Sequence, residues 1–192
     1  MMSKSRKFIC VIVAEMIEHK GLALIKPVIK FKSEFLSMLE EYRAVAEDPY
    51  RDILKAAWTD FHMYIRQLED FSKGRGLPHS YAPMTSFWMV QDDKVIVGES
   101  RLRHKLTPAL KLEGGHIGYS IRPSQRRKGY GTRLLELTLE KAKELGLSHV
   151  LVTCNTDNIA SAQVIQKNGG KLAGGVISNK SGAAVSHYWI DL

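Results

Sequence analysis

Apolar and polar positions alternate along the chain with two periods, and the changes of period mark out the elements. Ala23–Ile29 (ALIKPVI) reads as a first strand, and Pro27, which cannot donate to a ladder, puts it near a sheet edge. From Ser33, a candidate cap, to about Glu47, the residues Phe35, Leu39, Tyr42 and Ala46 recur at helical spacing. Asp48-Pro49 breaks the pattern, and proline suits the first turn of a second helix reaching about Phe71. Ile53, Ala57, Phe61, Ile65 and Leu68 form its stripe, and Gly74–Pro83 follows as a loop.

Thr85–Gln91 and Lys94–Arg101 read as a hairpin about Asp92-Asp93, followed by a mixed loop from Leu102 to Gly115. His116–Arg122 alternates as a strand, a helix runs from about Tyr130 to Leu145 and stops at Gly146, and His149–Asn155 is a buried strand. Asn158–Lys167 is a short helix ended by Asn168-Gly169-Gly170, and Lys171–Ser178 and Ser186–Ile190 are the last strands. Helices and a hairpin followed by β-α-β-α-β-β predict an α+β fold, a largely antiparallel sheet with helices on both faces.

The 192 residues suit one domain, and 44% hydrophobic with 25% charged residues is ordinary globular composition. A net charge of +8 favours anionic partners without choosing among nucleic acid, phosphorylated cofactors and acidic surfaces. The basic residues are scattered rather than gathered on one face with stacking aromatics, so nucleic acid is not expected. Cys10 and Cys154 form neither a disulfide framework nor a C-x-x-C metal pair, which fits reduced thiols in the cytoplasm. At the N-terminus, Lys4, Arg6 and Lys7 precede apolar Phe8–Ala14, and Glu15 ends the run, which is too short to span a bilayer. An extra strand or tail, a true start at Met16, and a cleaved signal all fit this pattern. The expected organisation is an extension over 1–22 and one domain over 23–192.

The densest chemistry is Arg126-Arg127-Lys128-Gly129-Tyr130-Gly131, between a strand and a helix. A helix N-terminus offers unpaired N–H groups and partial positive charge, so a phosphate can bind there without side chains. Gly129 and Gly131 remove Cβ atoms that would hold a pyrophosphate away, and the three basic residues add potential. A plain strand-to-helix turn with exposed basic residues is the alternative. A Walker loop is absent, and Leu134 stands where a dinucleotide fingerprint needs its third glycine.

In context the turn resembles the acetyl-CoA signature of the GNAT N-acetyltransferase superfamily. Arg-x-x-Gly-x-Gly follows the strand Ile117–Arg122 and Pro123, and Asn158-x-x-Ser161 and Asn168-Gly169 resemble the family's next helix. The glycines of HIGY and KGYG resemble a subgroup of predicted acetyltransferases. The resemblance implies a twisted sheet of six to seven strands. Pantetheine would slot between Tyr119–Ile121 and Val150–Thr153, with pyrophosphate on the amides from about Arg127 to Thr132. The implied cofactor contacts are Ile121, Arg126, Arg127, Lys128, Gly129, Tyr130, Gly131, Thr132, Asn158 and Ser161. For Asn158 a helix cap is a compatible second role.

The implied reaction needs an amine relieved of its proton, a stabilised oxyanion and a leaving thiolate; it requires no metal and no covalent enzyme intermediate. Base candidates are Glu113 and His116, then Glu99 and His104; a backbone N–H near Tyr119 suits the oxyanion. The family's usual tyrosine acid is replaced by Ile165, leaving Tyr119 or Tyr188 as substitutes, or no acid. Cys154 reads as a structural thiol. Phe87, Trp88, Tyr64 and Trp189 could line an acceptor site across the sheet, although aromatic residues at such spacings are usually core. The expectation is a cytoplasmic N-acetyltransferase acting on a primary amine of a small molecule or peptide in a ternary complex, away from membranes, with a homodimer compatible. An acyl-CoA-binding sensor is the alternative.

Overall fold

The computed structural model describes residues 21–47, 57–77 and 81–192. Its sheet has seven strands: β1 (Leu22–Ile25), β2 (Met84–Gln91), β3 (Val95–Arg103), β4 (Ile117–Ile121), β5 (His149–Asn155), β6 (Lys171–Ile177) and β7 (Ala184–Asp191). The order is β1-β2-β3-β4-β5-β7-β6, and every neighbouring pair is antiparallel except β4 with β5. The described helices are α1 (Lys32–Ala44), α2 (Phe61–Ser72), α3 (Pro108–Leu112), α4 (Tyr130–Glu144) and α5 (Ile159–Lys167). The architecture is the expected α+β sheet with helices on both faces.

Strand alternation divides the core in two. Trp88 turns towards α1 and α2, where it stacks on Phe35 at 4.8 Å and is packed with Leu39, Tyr64 and Leu68. Phe87, its neighbour, turns the other way and packs with Leu135, Val152, Ile165 and Tyr188 beneath α4 and α5. Between β2 and β3 both turn residues, Asp92 (φ 51°) and Asp93 (φ 53°), are left-handed, a conformation that matches the twist of a tight hairpin.

Several boundaries differ from the sequence reading. β1 is at the edge, as Pro27 suggests, but it ends at Ile25, and Ile29–Phe31 is a 3-10 turn leading into α1. Ser33 is therefore inside α1, whose N-cap, Phe31, makes no side-chain cap bond. Ala46 lies beyond the helix with φ 56°, and Met38 takes its place in the buried stripe. Helical residues 57–59 end at Asp60, whose carboxylate accepts the Met63 N–H and starts α2 afresh. The second stripe is thus interrupted, and Asp48, Pro49 and Ile53 lie outside the described residues. The Leu102–Gly115 loop is shortened, because β3 continues to Arg103 and Thr107 caps α3. Of the expected extension over 1–22, residues 1–20 lie outside the described residues, and Leu22 already belongs to β1.

Candidate functional site

The sheet opens at its one parallel pair. β4 and β5 share a single register pair, Ile117↔Val152. Below it the His116 N–H donates to the Leu151 carbonyl (2.7 Å) and the Leu151 N–H donates to His116 Nδ1 (2.9 Å). A continued ladder would bring Tyr119 opposite Cys154, but the strands diverge instead. On the other edge of β4, the His116 carbonyl accepts from Arg103 and the Arg122 N–H donates to Val97, so alternation turns the backbone groups of Tyr119 and Ile121 towards the gap. The Ile121 carbonyl there accepts Arg126 Nε at 3.2 Å.

A groove of about 710 Å³ runs from this gap to the N-terminus of α4, lined among others by Tyr119, Ile121, Gly129, Gly131, Ser161 and Lys167. Its floor is a turn with two left-handed residues, Arg127 (φ 64°) and Gly129 (φ 78°). Such a turn gathers backbone N–H groups into an anion-binding concavity, and Gly129, as the N-cap of α4, brings no side chain to cap the helix. The Thr132 and Arg133 N–H groups both donate to the Gly129 carbonyl, at 3.1 and 3.3 Å. The amide at Thr132, expected on the phosphate, is therefore already paired, and the open part of the cradle ends before it.

The groove brings together most of the expected cofactor residues: Ile121, Arg126, Arg127, Gly129, Tyr130, Gly131, Thr132, Asn158 and Ser161 all line it. Lys128 does not; its Nζ donates to Gln125 Oε1 at 2.9 Å. Tyr130 is buried, and its hydroxyl donates to Gln91 across 2.8 Å, so its side chain belongs to the core. The absent Cβ of Gly131 would stand 3.2 Å from Val164 Cγ2 and 3.8 Å from Ile121 Cγ1. That glycine allows the close approach of α4 to α5 at the wall of the groove, where Val164 and Ile121 also stand. Asn158 does cap α5, its Oδ1 accepting the Ser161 N–H at 3.0 Å.

Glu47, Gln163, Val164 and Lys167 line the groove without having been expected. Ser161, Val164 and Lys167 lie three residues apart on one face of α5, a period that extends the Asn158–Ser161 pattern. Glu47 is far away in sequence and reaches the groove only because α1 docks there. Arg122, 9% exposed in its side chain, pairs with Glu34 (2.9 Å) and Glu41 (2.7 Å) of α1 and donates to Ser37. Glu41 also accepts the Ser124 N–H at 3.0 Å. Burial pushes the Glu41 carboxyl up, but Ser124 and Arg122 outweigh it and hold it below the usual carboxylate range.

The catalytic candidates separate by position. The Tyr119 hydroxyl lies 3.0 Å from Ser161 Oγ at the inner end of the groove, and burial pushes this phenol up to about 12. His116 is a correction: with Nδ1 accepting from Leu151, the neutral ring has its proton on Nε2 and no lone pair left for a substrate proton. Burial and the neighbouring Arg103 keep that ring neutral by lowering its pKa. Glu113 follows α3, next to Gly114, whose N–H donates to Thr153 Oγ1; its carboxylate accepts from Ser178 at 2.9 Å. Glu99 is buried on β3 across from Ser120, 3.6 Å from Arg101. His104 bonds Thr85 (2.9 Å) beside a different cavity, away from the gap. Cys154 is partly buried, and burial pushes its thiol up, in keeping with an inert thiol. Tyr188 and Ile165 are buried in the core.

The aromatic acceptor wall is not assembled as expected. Phe87 is on the α4 side of the sheet, and Trp88 and Tyr64 are core residues. Trp189 alone of the four is exposed, 6.3 Å from the His116 ring in an edge arrangement. Among the described residues no cluster of His, Cys, Asp and Glu could hold a metal, and no helix is long and apolar enough to cross a membrane.

The microcin C7 self-immunity acetyltransferase MccE, solved with acetyl-CoA and AMP, superposes with a TM-score of 0.67 at 14% identity, covering 91% of this chain and 94% of its own. The acetyltransferase of Salmonella typhimurium that modifies the N-terminal serine of ribosomal protein L7/L12 gives 0.64 at 14% identity, covering 91% and 97%. The ribosomal-protein-S5-alanine acetyltransferase of Vibrio fischeri gives 0.66 at 14%, covering 90% and 93%. At such identities these likenesses establish the fold alone. Among proteins of curated function none matches the chain in sequence. Residues 39–171, more than half of the chain, match the family profile described as Acetyltransferase (GNAT) domain. On the strength of that match, and with the split sheet and the glycine turn in the fitting places, the chain belongs to the GNAT acetyltransferase family.

Proposed function

We propose that this protein is an acetyl-CoA-dependent N-acetyltransferase whose acceptor is a primary amine of a small molecule or of a peptide. The observation that carries this reading is the end of the β4–β5 ladder at Ile117↔Val152, which opens onto a groove floored by the Arg127–Gly129 turn. The residues fit an elongated anionic thioester. Uncapped amides with Arg127 and Lys167 suit the phosphate end, strand edges suit an extended amide chain, and the Tyr119–Ser161 pair suits the thioester end. One of these fold neighbours holds acetyl-CoA, another modifies the N-terminal serine of a ribosomal protein and a third is a ribosomal-protein-S5-alanine acetyltransferase, which favours a peptide or protein N-terminus among the acceptors.

In this reading acetyl-CoA supplies an activated acyl group. The chain's part is to align it along β4, to offer the Tyr119 N–H to the oxygen that gains charge, and to hold a proton on the Tyr119 hydroxyl for the departing sulfur. Glu113, on the side of the gap away from α5, takes the amine proton directly or through water, the role His116 is prevented from filling. Residues 23–192 act as one domain, in the cytoplasm.

Thermal unfolding with acetyl-CoA tests cofactor binding: at roughly 100 times its dissociation constant a ligand of the folded state adds about 2.7 kcal/mol. A screen of small amines and free-N-terminal peptides, read as thiol release, tests turnover. Binding without turnover on any acceptor would instead favour an acyl-CoA sensor, the reading to which buried Ile165, in place of an acid, lends support.

A further inference from the structure

With the groove taken as the acyl-CoA site proposed above, we infer that Glu47 is a built-in competitor for the cofactor's diphosphate, occupying the guanidinium fork of Arg126 until the cofactor displaces it. Both residues line the groove, and Glu47 is the single carboxylate among the described residues that do. The pairing is bidentate: Arg126 Nη1 donates to Glu47 Oε1 at 2.8 Å and Nη2 to Oε2 at 2.5 Å, while Nε is spent on the Ile121 carbonyl. Two phosphate oxygens ask for the same edge of a guanidinium as two carboxylate oxygens do. That edge cannot serve both, and a carboxylate left beside the diphosphate would repel it.

The backbone aims Glu47 at this position. Ala46, a residue with a Cβ, is left-handed at φ 56°, and the Glu47 N–H returns to the Tyr42 carbonyl at 2.9 Å, closing the end of α1. The Tyr42 ring lies under the same guanidinium, 6.0 Å from it. α1 itself is held by the buried Arg122 pairs, and Glu47, three residues past its end, is tied back to it by the bond to Tyr42.

The pair is also placed to exchange. Its side chains are 39% and 47% exposed, against 9% for Arg122 in the ion pairs two turns away. Exposed pairs are weak, so the competition sets affinity and does not forbid binding. Arg127 and Lys167, with no side-chain partner among the described residues, supply the attraction that remains while Arg126 is occupied. The device would keep the cofactor from being held too tightly to leave after each turnover.

Calorimetry with CoA and with 3′-dephospho-CoA tests this on the full chain. Glu47→Gln and Glu47→Ala should each bind both probes about three- to tenfold more tightly at low salt, equally for the two because both carry the diphosphate. In an Arg126→Ala background, which has no fork to release, the gain should shrink to less than about twofold. Unchanged or weaker CoA binding in both Glu47 variants, with wild type still binding, would overturn the competitor and leave the cofactor site standing; Glu47 would then be a residue that positions Arg126. A gain that persists undiminished without Arg126 would overturn it too. No binding of CoA to wild type or to any variant would remove the cofactor site and the inference together.

Discussion

The Leu151 N–H donates to Nδ1 of His116 across 2.9 Å, so a side chain stands in for a carbonyl beside the only parallel pairing of the sheet. His116→Leu should leave that buried N–H without an acceptor and cost about 1–3 kcal/mol, measured by denaturant unfolding. His116→Asn, which returns an acceptor, should cost less. Burial holds the His116 pKa below its ordinary 6.5, so this residue's contribution is fully present above about pH 6.5. It is lost as pH falls, because the unfolded chain takes up a proton that the folded one refuses. The acid limb of stability should flatten in His116→Asn, and an unchanged limb would refute the assignment.

Tyr119 titrates on the alkaline side. Its phenol is raised from 10.0 to about 12, so the folded form resists losing a proton that the unfolded chain releases. Stability should therefore be intact below about pH 10 and decline between 10 and 12, with a smaller decline in Tyr119→Phe. If the phenol protonates the leaving sulfur, Tyr119→Phe should also lower turnover by a factor on the order of 10²–10⁴ while leaving acetyl-CoA affinity within about twofold. Undiminished turnover would mean that the thiolate departs unaided.

Gly131 tests the wall between α4 and α5. Gly131→Ala brings a methyl to 3.2 Å from Val164 Cγ2, close enough to ask for a small shift and a modest loss of acetyl-CoA affinity. Gly131→Val should push α5 away and weaken binding at least about tenfold, with a stability loss on the order of 1–3 kcal/mol for overpacking. Val164→Ala should recover part of both losses. Failure of that rescue, measured by calorimetry and thermal unfolding, would return the glycine to a role at the phosphate.

Glu113 is where the proposal for the base is most exposed. Glu113→Gln keeps a partner for Ser178 but cannot take a proton. On an acceptor found in the screen, it should cut turnover by about 10²–10⁴ with acetyl-CoA affinity unaltered. Glu99→Gln is the comparison: a larger loss of turnover there than at Glu113, with the fold intact, would move the base to β3.

The groove proposed for the cofactor was legible because it is local. The turn, the α4 start and the Asn158 cap are each set by residues within a few positions of one another, and so were the spans of β5 and α5. What the sequence hid was tertiary. Alternation along β2 already turns Phe87 and Trp88 to opposite faces, but it does not say that helices cover both faces and make each residue core. Histidine at position 116 reads as a base until its ring is seen filling a rung of the sheet. Ser33 looked like a cap because the 3-10 turn at Ile29–Phe31, which starts α1 sooner, carries no signature of its own. Glu47 has no local pattern at all; it matters only through the docking of α1.

Arg122 carries that docking into the order of events during folding. Its partners Glu34 and Glu41 lie 88 and 81 positions upstream, and the second of them also grips Ser124 at the head of the glycine turn. The turn is thus shaped across a large chain closure, whose entropy is spent once, when the protein folds. On the proposed reading, the cofactor meets a cradle whose supports are set at folding, and has little ordering left to provide. A piece of the chain beginning at β4 would contain every residue of the signature and still lack the clamp that keeps it ready.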